Sequence, residues 1–139
     1  MRPNMPPRLD ALADVLLARP FVAVPAVDPL MAYGYIATPG EDRQAVQSCT
    51  ALLELWCFTE GWCFGAMFVD IGSGPDEVVE PGFTGLVDVL PVYPRTAVLL
   101  VESGDLSPHI GAALVKRASI RRTGAQLHVL SDELAETLA

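Results

Sequence analysis

Four side chains with oxygen atoms follow two apolar runs of the sequence, and they are the first candidates for chemistry. Asp70 and Ser73 come after one run, and Glu102 and Asp105 come after the next. If both runs are parallel strands, their carboxyl ends border one crevice, the usual binding site of an open α/β sheet. Such a crevice could hold a cation or an amine in a small acidic pocket. The same residues could instead cap or brace loops, and the sequence leaves both interpretations open.

The only cluster of basic residues consists of Lys116, Arg117, Arg121 and Arg122. They lie toward the end of a predicted helix, where the helix dipole favours cations. An ordinary solvated helix end explains such a cluster. The functional alternative is a docking patch for an acidic protein partner or, with less support, for nucleic acid.

Histidines and cysteines form no recognised catalytic or metal-binding pattern. His109 and His128 are the two histidines, and no Gly-x-Ser-x-Gly sequence accompanies them, so a hydrolase triad is not predicted. Cys49, Cys57 and Cys63 lack metal-ligand spacing, and we expect them to be buried, reduced thiols. We therefore expect neither a metal nor a cofactor.

Composition and charge narrow the function classes further. The chain has 139 residues, 51% of them hydrophobic, which is enough for one well-formed core. Its net charge is −8, and residues 31–107 carry eleven acids against Arg43 and Arg95. An acidic body repels a phosphate backbone, so direct nucleic-acid binding is not expected. No secretory signal or membrane span is recognisable, and we expect a cytoplasmic protein.

Apolar runs alternate with helical patterns along the chain. The predicted strands are 32–38, 62–69, 96–101 and 125–130, and the predicted helices are 8–18, 43–60, 82–90 and 107–122, with a short last helix capped by Ser131. This alternation predicts a three-layer α/β/α domain with a mainly parallel central sheet. We expect residues 1–30 to form an N-terminal arm with a short helix, and residues 31–139 to form the α/β domain.

Local signals add detail to three of these elements. Asp42 is predicted to cap the second helix, and Gly61 to end it. The strand 62–69 is almost wholly apolar, as expected for one covered on both faces. The first helix has an apolar stripe of Leu9, Leu12, Val15 and Leu16. This stripe must pack either on its own sheet or on a neighbouring molecule, and the sequence does not decide between them.

Four sequence motifs stand in a characteristic order within residues 32–107. They are 34–39 (GYIATP), 68–74 (FVDIGSG), 80–83 (EPGF) and 103–108 (SGDLSP). In order and spacing they resemble the catalytic domain of serine recombinases, the resolvases and invertases. The corresponding sequences in that family are Tyr-x-Arg-Val-Ser, Phe-x-Asp-x-x-Ser-Gly, Arg-x-Gly-Phe and Leu-Asp-Arg-Leu-Ser-Arg. The resemblance covers a little over half of the chain.

This resemblance implies the fold of the family but not its chemistry. Family members cut DNA with a serine that attacks phosphorus, and arginines stabilise the charge that develops on the phosphate. Here Pro39 stands at the position of the nucleophile, and it has no nucleophilic atom. Ala37, Glu80, Asp105 and Pro108 stand at positions of arginines. Two of these four are acids, which would repel a phosphate.

Two architectural expectations also follow from the resemblance. The sheet order should be second, first, third and fourth strand, and the family's core sheet includes one antiparallel strand. Family members continue into a long dimer helix and a small DNA-reading domain. Only residues 131–139 follow the last predicted strand here, so we expect both to be absent.

A catalytically inactive resolvase-like domain is therefore the function that the sequence favours. We expect it to act as a protein–protein interaction or regulatory module without DNA cleavage. Its partner is expected to be another protein or a second copy of the chain, which would form a homodimer. One alternative is a small-molecule or cation binder that uses the crevice of Asp70, Ser73, Glu102 and Asp105. Another alternative is an accessory subunit of a DNA-binding or recombination complex.

Overall fold

The computed structural model of the protein describes residues 5–72 and 80–138, and Ser73 lies outside them. The helices are α1 (Pro7–Leu17), α2 (Arg43–Glu60), α3 (Pro81–Val89), α4 (Ile110–Arg122), α5 (Leu130–Glu133) and α6 (Ala135–Leu138). The strands are β1 (Met31–Thr38), β2 (Cys63–Ile71), β3 (Thr96–Leu100) and β4 (Gln126–Val129). Two 3-10 turns, Leu90–Val92 and Ser103–Asp105, follow α3 and β3. Within the described residues, none of the helices has the length and apolar character needed to cross a bilayer.

The sheet has the order β2-β1-β3-β4, which confirms the order predicted from the resemblance. All three strand pairings are parallel, so the antiparallel strand of the family's sheet has no counterpart among the described residues. The reason lies in α4, which carries the chain back to the starting end of the sheet before β4 begins. A helical crossover of this kind makes the two strands that it joins parallel.

Side chains alternate between the two faces of the sheet and build a core on each. On one face, Ile36 and Leu99 pack with α1 and α2, whose Trp56 is fully buried. On the other face, Tyr35 and Leu100 pack with α3 and α4. This arrangement is the predicted three-layer α/β/α domain.

Helix α2 has the residue bounds that the sequence predicts. The Asp42 carboxylate accepts a hydrogen bond from the backbone N–H of Ala45 at 3.0 Å, as an N-cap does. Gly61 ends the helix with φ +75°, a left-handed conformation that glycine adopts without strain. Both predicted helix ends are therefore confirmed.

Strand β2 lies at an edge of the sheet, which its apolar sequence did not indicate. Helices α2 and α3 contact β2, as predicted for a strand covered on both faces. Among the described strands, however, only β1 pairs with it, and most of its side chains are half-buried rather than buried. Asp70 is the one fully buried residue of the strand, and Ile71 is exposed.

Two predicted elements differ from the structure. Helix α4 begins at Ile110 rather than at Ser107, because Pro108 disfavours helical geometry in the residue before it. The last helical segment begins at Leu130, so Ser131 lies inside it and does not cap it.

Helix α1 packs on its own domain. Leu9, Leu12 and Leu16 are buried in the core that α2 and the sheet share, and Val15 packs against the same core. This decides the question that the sequence left open, because the apolar stripe is not available to a neighbouring molecule. The stripe therefore does not support self-association.

Replacing Leu16 by alanine tests this packing. Leu16 is fully buried, so Leu16→Ala should lower the free energy of unfolding by about 3 kcal/mol through lost burial and a residual cavity. Leu17→Ala is the matched control, since Leu17 is 58% exposed and its loss should cost under about 0.5 kcal/mol. Urea unfolding followed by circular dichroism measures both, and equal small losses would show that α1 is not part of the core.

Candidate functional site

Asp70, at the end of β2, is a buried carboxylate with three hydrogen-bond donors. It accepts hydrogen bonds from the Tyr35 hydroxyl at 2.6 Å, the Gly82 N–H at 2.7 Å and the Phe83 N–H at 2.8 Å. The two N–H groups belong to the first turn of α3, where a negative charge is favoured by the helix dipole. Asp70 therefore fastens the start of α3 to the sheet and does not face an open crevice.

Gly82 lets α3 come this close to β2. A Cβ atom at this position would lie 2.4 Å from the Val69 carbonyl oxygen, which is too near for any side chain. The backbone of α3 can therefore donate directly to Asp70 only while residue 82 is glycine. This is the structural role of the Gly-Phe pair that the sequence analysis identified as a motif.

Lys116 lies inside the domain, opposite to its predicted place in a surface patch. Lys116 is only 4% exposed. Its Nζ donates to the Tyr35 hydroxyl at 3.0 Å and to the Leu106 carbonyl at 2.8 Å. Nζ also forms an ion pair with Glu80 at 2.8 Å. The prediction that Lys116 shares a docking patch with Arg117, Arg121 and Arg122 is corrected accordingly. Arg121 and Arg122 are exposed, and Arg117 is half-buried.

Tyr35 is the centre of this network because its hydroxyl donates to Asp70 and accepts from Lys116. Burial is the main cause that raises the pKa of Tyr35 far above its ordinary value, and the hydrogen bond to Asp70 raises it further. The phenol therefore keeps its proton. The Lys116 ammonium also lies over the ring, 4.9 Å from its centroid, in a cation–π contact.

Glu102 and Asp105 stabilise the turn that follows β3. The Asp105 carboxylate accepts from the Glu102 N–H at 3.1 Å, and the Glu102 side chain accepts from the Asp105 backbone in return. Glu102 also forms an ion pair with Arg8 at 3.0 Å. Burial raises the pKa of Asp105 to about 6, although its hydrogen bond from the backbone acts in the opposite direction.

The predicted acidic crevice is therefore a set of separately partnered residues where the structure describes it. Asp70 binds the start of α3, whereas Glu102 and Asp105 cap the turn after β3. Ser73 is outside the described residues. Across residues 5–72 and 80–138, no three acids, histidines or cysteines come together as a metal site would require.

Pro39 and Thr38 occupy the end of β1, where the resemblance implies the nucleophile. Pro39 is exposed, and Thr38 is buried. The Thr38 hydroxyl has no hydrogen-bond partner among the described residues. The backbone carbonyl of Thr38 accepts from the Gly72 N–H at 2.8 Å and closes the end of the β1–β2 pair.

The remaining candidate nucleophiles and bases are two histidines and three cysteines. The His128 ring contacts Glu133 and Gln126, both at 2.8 Å, and His109 is the residue before α4. Burial raises the pKa of Cys49 and Cys57 to about 12, so both thiols stay protonated and unreactive. All three cysteines are free thiols. Cys49 and Cys57 are buried as predicted, whereas Cys63 is half-buried because its strand lies at the edge of the sheet.

Sequence reasoning missed the network of Lys116, Tyr35, Asp70 and Glu80. One local signal pointed to it, because Lys116 lies on the helical face shared by Ala113 and Ile120, which turns inward. The positions of its partners are not visible in the sequence, so Lys116 was grouped with the neighbouring arginines as part of a solvated helix end.

Comparisons with known proteins identify the fold. No family model matches the sequence, and none of the curated proteins is significantly similar to it. Several solved structures are similar in fold. The C-terminal catalytic domain of ISC1926 TnpA, an IS607-like serine recombinase, is 18% identical with a TM-score of 0.60, over 78% of this chain and 77% of that chain. The N-terminal catalytic domain of TP901-1 integrase is 14% identical with a TM-score of 0.62, over 73% and 79%.

The third structure is the first open reading frame of transposon ISC1904 from Sulfolobus solfataricus P2. It is 16% identical with a TM-score of 0.51, over 73% of this chain and 66% of that chain. At these identities the likeness concerns the fold alone. The protein has the fold of a serine recombinase catalytic domain, which confirms the resemblance predicted from the motifs.

Removing the buried ammonium tests the network. Lys116→Met should lower the free energy of unfolding by about 3 kcal/mol, because Glu80 and the Tyr35 hydroxyl lose a buried partner. Arg122→Met, at an exposed position of the same helix, should cost under about 0.5 kcal/mol. Adding Glu80→Gln to Lys116→Met should recover part of the loss in a double-mutant cycle. Urea unfolding of the wild type, the single variants Lys116→Met, Glu80→Gln and Arg122→Met, and the double variant gives these values. A Lys116→Met variant as stable as the wild type would show that the Lys116 ammonium is not a buried partner of Glu80 and Tyr35.

The raised pKa of Asp105 predicts a pH dependence of stability. Since an unfolded aspartate titrates near pH 4, the folded protein binds an additional proton between about pH 4 and pH 6. Stability from this residue should be complete below pH 4 and should fall by at most about 3 kcal/mol as the pH rises to 6. Asp105→Asn should lose this fall, whereas Asp132→Asn, at an exposed position, should retain it. Unfolding titrations between pH 4 and 6.5 measure the difference, and parallel profiles for wild type and Asp105→Asn would contradict it.

Proposed function

We propose that the protein is a catalytically inactive domain of the serine recombinase fold that acts as a protein-interaction or regulatory module. The observation that carries this proposal is that the Lys116 ammonium is bound inside the domain. It lies buried beside Tyr35 and Glu80, and all three of its hydrogen bonds are to groups of its own domain.

The residues at the positions where the resemblance implies arginines support the absence of phosphoryl transfer. Charge that develops on a phosphate in such a reaction is stabilised by cations and aligned donors. Glu80 and Asp105 stand at two of the arginine positions, and Ala37 and Pro108 at two others. Pro39, at the position of the nucleophile, offers no hydroxyl.

Lys116 does not replace the arginines. To reach a phosphate outside the domain, its ammonium would have to leave Glu80, Tyr35 and the Leu106 carbonyl. Glu80 would then keep a charge without its buried counter-ion, which is strongly unfavourable. The lysine therefore serves the fold and not a substrate.

A role in protein interaction is supported by the surface. Several large hydrophobic side chains are more than half exposed, among them Phe21, Val27, Val92, Ile110, Leu114 and Val115. Single exposed apolar residues are ordinary, but groups of them mark binding surfaces. Three of these six lie together on α4. The partner is a protein, either another chain or a second copy.

Incubation with supercoiled plasmid tests the catalytic part of the proposal. The protein should produce no nicked DNA and no covalent protein–DNA adduct above the level of a protein-free blank. Pro39→Ser should be equally inactive, because it restores a hydroxyl but none of the cations. An active serine recombinase on its own site is the positive control. A covalent adduct formed by the wild-type protein, detected by denaturing gel and mass spectrometry, would overturn the proposal.

A further inference from the structure

Helix α4 buries one charged side chain and exposes three large apolar ones. Its lysine, Lys116, faces the core, whereas Ile110, Leu114 and Val115 are 81%, 62% and 64% exposed. The outer face of α4 is formed by Ile110, Gly111, Leu114, Val115, Ala118, Arg121 and Arg122, all of them exposed. From residue 110 to residue 118, this face contains no polar side chain.

Such a face is costly on a helix that meets only water. Solvent-facing sides of helices in globular proteins are normally polar, and large apolar groups there mark a surface that another molecule covers. Gly111 and Ala118 are small, so a second helix could approach the α4 backbone closely beside Leu114 and Val115. The geometry therefore fits a helix more readily than a flat surface.

The positive charges of α4 make the two ends of its outer face chemically different. Arg121 and Arg122 end α4, and residues 108–124 contain no acid in a chain with a net charge of −8. The outer face is thus apolar over its first two turns and basic at its carboxyl end. A ligand that fits it must be apolar along one side and acidic at one end.

We propose that the outer face of α4 binds an amphipathic helix of another protein, antiparallel to α4 and acidic in its first turn. In the antiparallel orientation, the first turn of that helix lies beside Arg121 and Arg122. Acidic residues are most stable in a first turn, and antiparallel helix dipoles attract one another. This inference rests on the proposed function and names the surface and the kind of partner.

A second copy of the chain fits this face poorly. Helix α1 is apolar on one side with Asp10 in its first turn, but its Leu9, Leu12 and Leu16 are buried in its own domain. If two outer faces paired with each other, Arg121 and Arg122 would meet either the same arginines or an uncharged first turn. DNA also fits poorly, since the apolar part of the face offers nothing to a phosphate backbone.

Fluorescence anisotropy with a synthetic peptide tests the inference on the full-length protein. The probe is a labelled peptide of about five helical turns, with leucines at helical spacing and glutamates in its first turn. Two protein variants, Leu114→Gln/Val115→Gln and Arg121→Gln/Arg122→Gln, should each weaken its binding about tenfold or more. Val92→Gln, an equally exposed position outside α4, is the matched control and should bind as the wild type does. A peptide with its glutamates in the last turn should also bind about tenfold more weakly.

Four results would overturn the inference. The first is the absence of binding by the glutamate peptide, and the second is equal binding by the wild type and both α4 variants. The third is displacement of the peptide by a short DNA duplex. The fourth is self-association that Leu114→Gln/Val115→Gln abolishes while the peptide does not compete with it. Self-association of this kind would leave the proposed interaction function standing, whereas a covalent DNA adduct would refute that function whatever the peptide does.

Discussion

Two buried hydrogen bonds join Lys116 to Tyr35 and Tyr35 to Asp70, and the helices on this side of the sheet depend on them. Asp70 receives the first turn of α3, and Lys116 belongs to α4. The two bonds therefore connect both helices through β1 and β2. A buried ammonium and a buried carboxylate are tolerated only when every charge has partners, and here each has at least three. The positions of α3 and α4 are consequently linked.

The same interaction explains why α4 is turned as it is. Rotating the helix by half a turn would bury Leu114 and Val115 but would carry Lys116 away from Tyr35 and Glu80. Those two groups would then be left without their cation in a largely apolar setting, a larger loss than that of exposing a few apolar side chains. The exposure of Leu114 and Val115 is thus a consequence of the burial of Lys116.

Sequence patterns predicted much of the fold and little of the site. Helix α2 was predicted with its bounds and both caps, since Asp42 and Gly61 act on neighbouring backbone. The sheet order came from the motif resemblance rather than from periodicity. The network escaped prediction because the partners of Lys116 lie 10, 36 and 81 residues away, beyond any local pattern. The apolar residues of α4 are also distributed over all sides of the helix, so the period of the hydrophobic pattern did not identify the face that packs on the core.

The separation of 81 residues between Tyr35 and Lys116 also bears on how the chain acquires its structure. During synthesis, β1, β2 and α3 leave the ribosome long before α4 does, and until then the Tyr35 hydroxyl and Glu80 have no ammonium to bind. Contacts between such distant residues carry a large loop-closure cost and form late. The last third of the chain is therefore needed to complete the interior of the first two thirds. A nascent chain that stops before α4 lacks the ammonium that binds Glu80 and the Tyr35 hydroxyl, and it should stay a substrate for chaperones.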